Sequence, residues 1–485
     1  MIRLSSIWSL AAATILAMVA VGCASYTDHT REAQRQVVQG NVDGAILLLN
    51  EHLDVHNGPA AMPNRIDDDR VLFLLERATL LQAIGDYESA SRDMVHIDDH
   101  LEWVDFTSEA ADRILRMVYS DDAGDYRAPP HERLLLNTMN MINFLAMGNA
   151  NSARVEARRF NVMQEFYLQS EPDTVSTQIL GLGNYLAGAA FEASDQFSTA
   201  ARFYANAYGF GVWPEETTDR LVDLTALTGY RGAGVEYGRE RYDAIVEQSR
   251  QVERPNRSEY KRRWRNGDTL MVIQTGLVPY RQAERIGMER ALTYTSDSRH
   301  AQVHFGSSTQ DEAMMLATAG TLNWLNTTSL TTEGLPDRRR VTVHLDDHSW
   351  DLDSPVHLSE QIVDEWQDVA LAGLAAGITR AVARIAAGEG SRRITESVAE
   401  SSGRSEGSSR LLGWLVGSAV STTMAVADTP DTRSWTSLPA DIHLVRTQLR
   451  PGTQSVRVQV NGQRDEREVD VQENRFQLLN FSRHR

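Results

Sequence analysis

The chain reads as an α+β protein: an α-helical, repeat-like N-terminal half followed by a mixed C-terminal half with an antiparallel β end. Three observations predict this. From Tyr26 to about Arg250 the chain is rich in Ala, Leu, Glu, Gln and Arg, with apolar residues at helical spacing. Beyond Asp268 the period changes to two in several short runs, one of which contains Asn461-Gly462. The single cysteine, Cys23, excludes an intramolecular disulfide, so the fold rests on packing.

The N-terminus carries a short basic start, Met1-Ile2-Arg3, and then an uncharged apolar run from Ile7 to Val21. This is the layout of a signal peptide over residues 1–22. The run closes on Ala20-Val21-Gly22-Cys23, which resembles the lipobox of bacterial lipoproteins. That resemblance implies cleavage before Cys23, lipidation (including palmitate) of Cys23, and a lipidated tether over residues 23–30. Acyl chains at about 0.8 kcal/mol per buried CH₂ make a durable anchor. Ala24 stands where an Asp would favour the inner membrane, so the lipoprotein analogy points to the outer membrane, facing the periplasm.

Residues 31–250 follow a recurring local pattern: a turn residue and, five positions on, an alanine. The copies are Gly40 with Ala45, Gly85 with Ala90, Gly148 with Ala153, and Asp195 with Ala200. A turn residue in the left-handed region ends one helix. Asp or Asn then caps the next. The small alanine lets the second helix approach its neighbour closely. This resembles tetratricopeptide repeats, whose hairpins bury their faces by stacking. The turns are spaced by 45, 63 and 47 residues rather than the family's 34, so a degenerate solenoid is expected. The longest gap holds an insertion around Tyr119–Tyr126, and the last helical segment, 215–250, is interrupted at Thr228–Gly234. The concave face of such a solenoid binds peptides or partner domains. Tyr204, Tyr208, Phe210 and Trp213 are candidates to line it, although Phe203, Tyr204 and Tyr208 also fit a buried helical stripe.

Residues 251–268 read as a charged linker, and 269–485 as the mixed domain. Thr269–Gly276 and Arg340–Leu345 read as strands. Leu358–Ala387 and the apolar Leu411–Ala427 form an expected helical hairpin, 358–427, around a Gly/Ser-rich loop at 388–409. At 17 residues the second arm is at the low edge for crossing a bilayer, which favours a buried core helix. Residues 441–481 read as a β meander, with a Pro451-Gly452 turn and an Asn461-Gly462 hairpin. Their L-x-P-G-x-x-x-V-x-V-x-x-x-G order resembles a PEGA-type β module of envelope proteins. Asp431-Thr432-Arg433-Ser434-Trp435-Thr436-Ser437-Leu438-Pro439-Ala440 resembles the D-x-R-S-W-x-x-L-P-A segment of an uncharacterised family of proteobacterial lipoproteins with degenerate repeats. Arg433 is expected to pair with a carboxylate and Trp435 to pack beneath the Pro turn, while loops carrying such groups also serve as binding sites.

Charge and motif composition narrow the function. The net charge is -18, or -19 once Arg3 leaves with the signal peptide, which argues against a nucleic-acid partner. The one lysine, Lys261, sits in no Gly-rich loop, so P-loop chemistry is excluded. His96 and His100 share a helical i, i+4 spacing, and His344 and His348 repeat it in a strand context, but neither pair carries the zincin Glu. Gly403-Arg404-Ser405-Glu406-Gly407 matches G-x-S-x-G without the strand and helix that a nucleophile elbow needs. No catalytic residue, metal or cofactor is therefore expected. The expected function is a non-enzymatic envelope scaffold, held to the membrane through Cys23, with Tyr204, Tyr208, Trp213, Arg433 and Trp435 as binding candidates and an envelope protein as partner. Murein is a further contact the compartment offers. The alternatives are a murein-active enzyme or an activator of murein synthesis, and a structural subunit of a surface or export assembly.

Overall fold

The computed structural model describes residues 26–107, 126–170, 175–296, 324–331, 339–401 and 430–484, together with Ala313 and apart from 59, 67–68, 236 and 346–347. Cys23 and the signal sequence, the insertion before Tyr126, Gly403–Gly407 and Leu411–Ala427 lie outside these residues. The fold is α+β, as the composition and periodicity predict.

Helices build the N-terminal half: α1 (Tyr26–Gln39), α2 (Val42–His52), α3 (Arg70–Ile84), α4 (Tyr87–Thr107), α5 (Pro130–Ala146), α6 (Ala150–Ser170), α7 (Thr177–Ala193) and α8 (Phe197–Gly209). Each packs on the next. All four expected turn residues are left-handed: Gly40, Gly85, Gly148 and Asp195 have φ of 83, 88, 69 and 60°. In three of the four, the next residue caps the following helix: Asn41 accepts from the Gly44 N–H, Asp86 from Ser89, and Asn149 from Ser152, each at 3.1 Å. Ala45, Ala90, Ala153 and Ala200 are all completely buried, as close helix approach requires. Then α9 (Thr218–Thr228) and α10 (Arg239–Gln251) flank the expected break, where Gly229, Gly232 and Gly234 take positive φ.

Two expectations about connecting segments are corrected here. Residues 26–30 are no tether: they begin α1, with Tyr26, Thr27 and Thr30 buried. Residues 251–268 are no simple linker, because α11 (Arg257–Trp264), opened by an Asn256/Glu259 capping box, folds back on the helices. Its Tyr260 hydroxyl donates to Glu192 at 2.6 Å, and the Trp264 indole to Asp223 at 2.7 Å.

Among the described residues the C-terminal half forms three sheets. The central one has the order β10-β1-β7-β6, from β1 (Asp268–Thr275), β6 (Val356–His357), β7 (Asp441–Gln448) and β10 (Gln477–Arg483). Strand β1 pairs antiparallel with β7 and parallel with β10. A second sheet, β5-β4-β8-β9, comprises β4 (Val341–Leu345), β5 (His348–Leu352), β8 (Gly452–Val460) and β9 (Gln463–Val471). The β8–β9 hairpin turns at Asn461-Gly462, with φ of 46 and 85°. The expected 441–481 meander is thus divided: β8 and β9 join one sheet, β7 and β10 the other. Pro451 offers no N–H and Gly452 turns at φ 105°, so the chain leaves the central sheet there.

Every residue of β1 is buried. Leu270 and Val272 face the helices, with Ile442, Leu444 and Leu478. Met271 and Ile273 face the second sheet, with Val343, Val456, Val458 and Phe481. A continuous apolar strand between two layers is what this alternation demands. The two-stranded antiparallel sheet of β2 (Tyr280–Gly287) and β3 (Trp324–Thr331) packs with α12 (Met288–Ser296) and α13 (Leu358–Ser401) around Ile286, Leu292, Leu325, Leu374 and Ile378. Helix α13 runs to Ser401, through part of the expected Gly/Ser loop. Gly388 and Gly390 each cost about 1 kcal/mol in a helix, but no proline stops it.

Candidate functional site

Where the two halves meet, the 430–440 segment is threaded into the helices. Glu76 of α3 is buried and accepts from the Thr436 N–H, the Thr436 hydroxyl and the Ser437 N–H, each at 2.7 Å, and from the Tyr26 hydroxyl at 3.1 Å. Burial raises the Glu76 carboxyl above its ordinary range, and the donors from Ser437 and Thr436 pull it back part of the way. Glu132 of α5 accepts from the Trp435 N–H at 2.9 Å and from the Tyr126 hydroxyl. The Trp435 indole donates to Thr79 at 2.8 Å. Helix α1 closes the seam: Gln34 donates to Thr436 at 2.8 Å and Thr27 to the Arg281 carbonyl at 2.5 Å. A water-sized cavity lined by Thr30, Gln34, Glu76, Leu277 and Thr436 lies beside it.

Trp435 and Arg433 were candidates for binding a partner, and their burial overturns that. Trp435 is 1% exposed. Arg433 is also buried and grips Asp431 with two bonds, at 2.9 and 3.0 Å, the carboxylate pairing the sequence suggested. Both are spent on holding the segment in place.

Of the two places expected for Tyr204, the buried helical stripe is the one it takes, which removes it as a surface binding candidate. Its hydroxyl donates to Glu192 at 2.8 Å, inside a closed cluster of Glu192, Asp268, Arg220 and Arg446. Arg220 contacts Glu192 at 2.7 Å and Asp268 at 2.6 Å; Arg446 contacts them at 3.0 and 2.8 Å. Burial alone would raise both carboxyls, but Arg220 and Arg446 outweigh it and hold both below the ordinary carboxylate range. The cluster ties α7 and α9 to β1 and β7. With side chains at most 4% exposed, it is closed to any substrate. Tyr208 and Trp213 are half-buried, with Trp213 edge-on to Tyr185, Tyr204 and Tyr208.

The surface that sequence reading missed is on α6. Val155, Val162 and Phe166 are 46, 64 and 57% exposed, flanked by the exposed Arg158, on one face of a helix whose other face is core. Their spacing of seven and four residues was visible, but the same spacing marks a buried stripe, and only the packing of α5 and α7 decides which face is inside. Among the described residues no group of three or more His, Cys, Asp or Glu side chains is placed to hold a metal ion, and no helix is long and apolar enough to cross a membrane. No protein-family model, curated protein or solved structure matches this chain.

Proposed function

We propose that this is a lipoprotein anchored through Cys23 in the outer membrane, facing the periplasm, and that it acts without catalysis as a scaffold recruiting an envelope protein. The anchor reading rests on the lipobox-like Ala20–Cys23. The scaffold reading rests on one observation, the ridge of three exposed apolar side chains, Val155, Val162 and Phe166, on one face of α6. Such a ridge, rimmed by polar residues, is the ordinary form of a helix-docking surface. Lipidation confines the protein to one surface and raises the local concentration of anything it binds, so a modest affinity suffices.

The test is co-purification from outer membranes of the wild type and of Val162→Asp, with Cys23→Ser as a release control. A specific envelope protein retained by the wild type and lost from a folded Val162→Asp variant is the expected result. Retention of the same proteins by both would remove the ridge from the account. Cys23→Ser remaining in the membrane fraction would remove the anchor.

A further inference from the structure

A groove of about 510 Å³ lies where the start of α8, the end of α9 and the turn into α11 come together. That volume falls within the roughly 300–1,000 Å³ of small-molecule sites. Its charged side chains are Arg254 and Arg257, and no Asp or Glu lines it. The chain carries 66 acidic against 48 basic residues, so this lining runs against the composition of the molecule.

Both arginines are positioned by neighbours that carry no charge. Arg254 donates through Nε and Nη2 to the Leu227 carbonyl, at 3.3 and 3.0 Å, which leaves Nη1 for another acceptor. Arg257 lies over the Phe197 ring, 5.9 Å from its centre. Among the described residues neither forms an ion pair. On the two adjoining helices, by contrast, Arg239, Arg250 and Arg263 hold Asp243, Glu247 and Asp223 at 2.9, 2.7 and 2.8 Å. Two acids close by are already occupied: Glu259 accepts from the Asn256 N–H at 2.8 Å, and Asp195 from Lys261 at 2.5 Å. Polar groups complete the wall. Ser198, in the first turn of α8, sets a hydroxyl there. Asn256 spends its side-chain oxygen on the Ser258 and Glu259 N–H groups, and its amide nitrogen remains to donate.

We propose that this groove binds a small polar molecule through a carboxylate or phosphate group held by Arg254 and Arg257. A guanidinium offers such an oxyanion charge-assisted hydrogen bonds. The groove has room for more than a bare ion, and Ser198 and Asn256 are placed to bond the rest of the ligand. Both arginines are exposed, so salt screens the attraction. The site shares no residue with the ridge on α6 and stands independently of it.

The experiment is isothermal titration calorimetry of the purified full-length protein with two acidic probes, glycerol phosphate and an acetylated aspartyl-glutamate dipeptide. Glycerol and the acetylated asparaginyl-glutamine dipeptide are the uncharged comparisons. One-to-one binding of at least one acidic probe, weakening as salt is raised, is the expected result, with no binding of its uncharged counterpart. Whichever acidic probe binds more tightly assigns the group as phosphate or carboxylate. Arg257→Gln is expected to weaken that probe at least about tenfold, the loss of a charged hydrogen bond. Ser198→Trp, at an exposed position, fills the groove without removing a charge and is expected to abolish binding, while the exposed Arg450→Gln keeps it. Circular dichroism establishes that each variant is folded. Binding of neither acidic probe, equal binding of the uncharged compounds, or undiminished binding by folded Arg257→Gln or Ser198→Trp overturns the proposal.

Discussion

Two buried acidic environments respond to pH in opposite senses. Glu156 of α6 is pushed up to about 7, mainly by burial, against the pull of Arg159 and with Asp98 adding to the rise. Its contribution to stability is fully present below its ordinary value and is lost as pH rises through about 7. Glu156→Gln should therefore gain on the order of 2–3 kcal/mol relative to wild type at pH 8 and little at pH 5, read from urea midpoints. An unchanged difference between the two pH values would refute this. Glu192 and Asp268 are held low by Arg220 and Arg446, so their contribution is present above the ordinary carboxylate range and fails on acidification. Arg446→Met leaves these carboxylates short of a cation and should cost about 3–5 kcal/mol; a loss below about 1 kcal/mol would deny the cluster its role. Neither environment was legible in the sequence. Glu192 and Arg446 stand 254 residues apart, and nothing local distinguishes Glu156 from the solvated acids around it.

The local devices of the elements were legible, their partners much less so. Gly85, Asp86 and Ala90 lie within one hairpin, and each does what its own chemistry requires: a left-handed turn, a cap and a close approach. Asn461-Gly462 is a hairpin signal for the same reason, since the φ values are a property of those two residues. Strand β10 pairs parallel with β1, about 200 residues earlier, and no local pattern specifies that register. The end of α13 was misread because glycine lowers helix propensity without forbidding a helix. Ala90→Leu forces a larger side chain into a fully buried helix contact and should cost about 1–3 kcal/mol, measured by thermal unfolding. A neutral result would mean that the hairpin helices are not closely packed at Ala90.

For the whole molecule, the decisive contacts cross between the halves. Glu76 holds Thr436 and Ser437, Trp435 reaches Thr79 and Glu132, and Gln274 of β1 donates to Gln82 of α3 and Asn480 of β10, each at 2.8 Å. The sequence divided the chain at 251–268, yet α11 in that span joins the core. One cooperative unfolding transition is therefore expected. Glu76→Ala, which strands four buried donors, should lower that single transition rather than split it. Two separate transitions in the wild type would contradict the interlock.

The most direct test of the scaffold account is in-cell photocrosslinking from position 162, on the ridge, with position 247, on the exposed face of α10, as the comparison. A discrete crosslinked envelope protein is expected from position 162 and none from 247. No discrete product from position 162, or the same products from both positions, would contradict it.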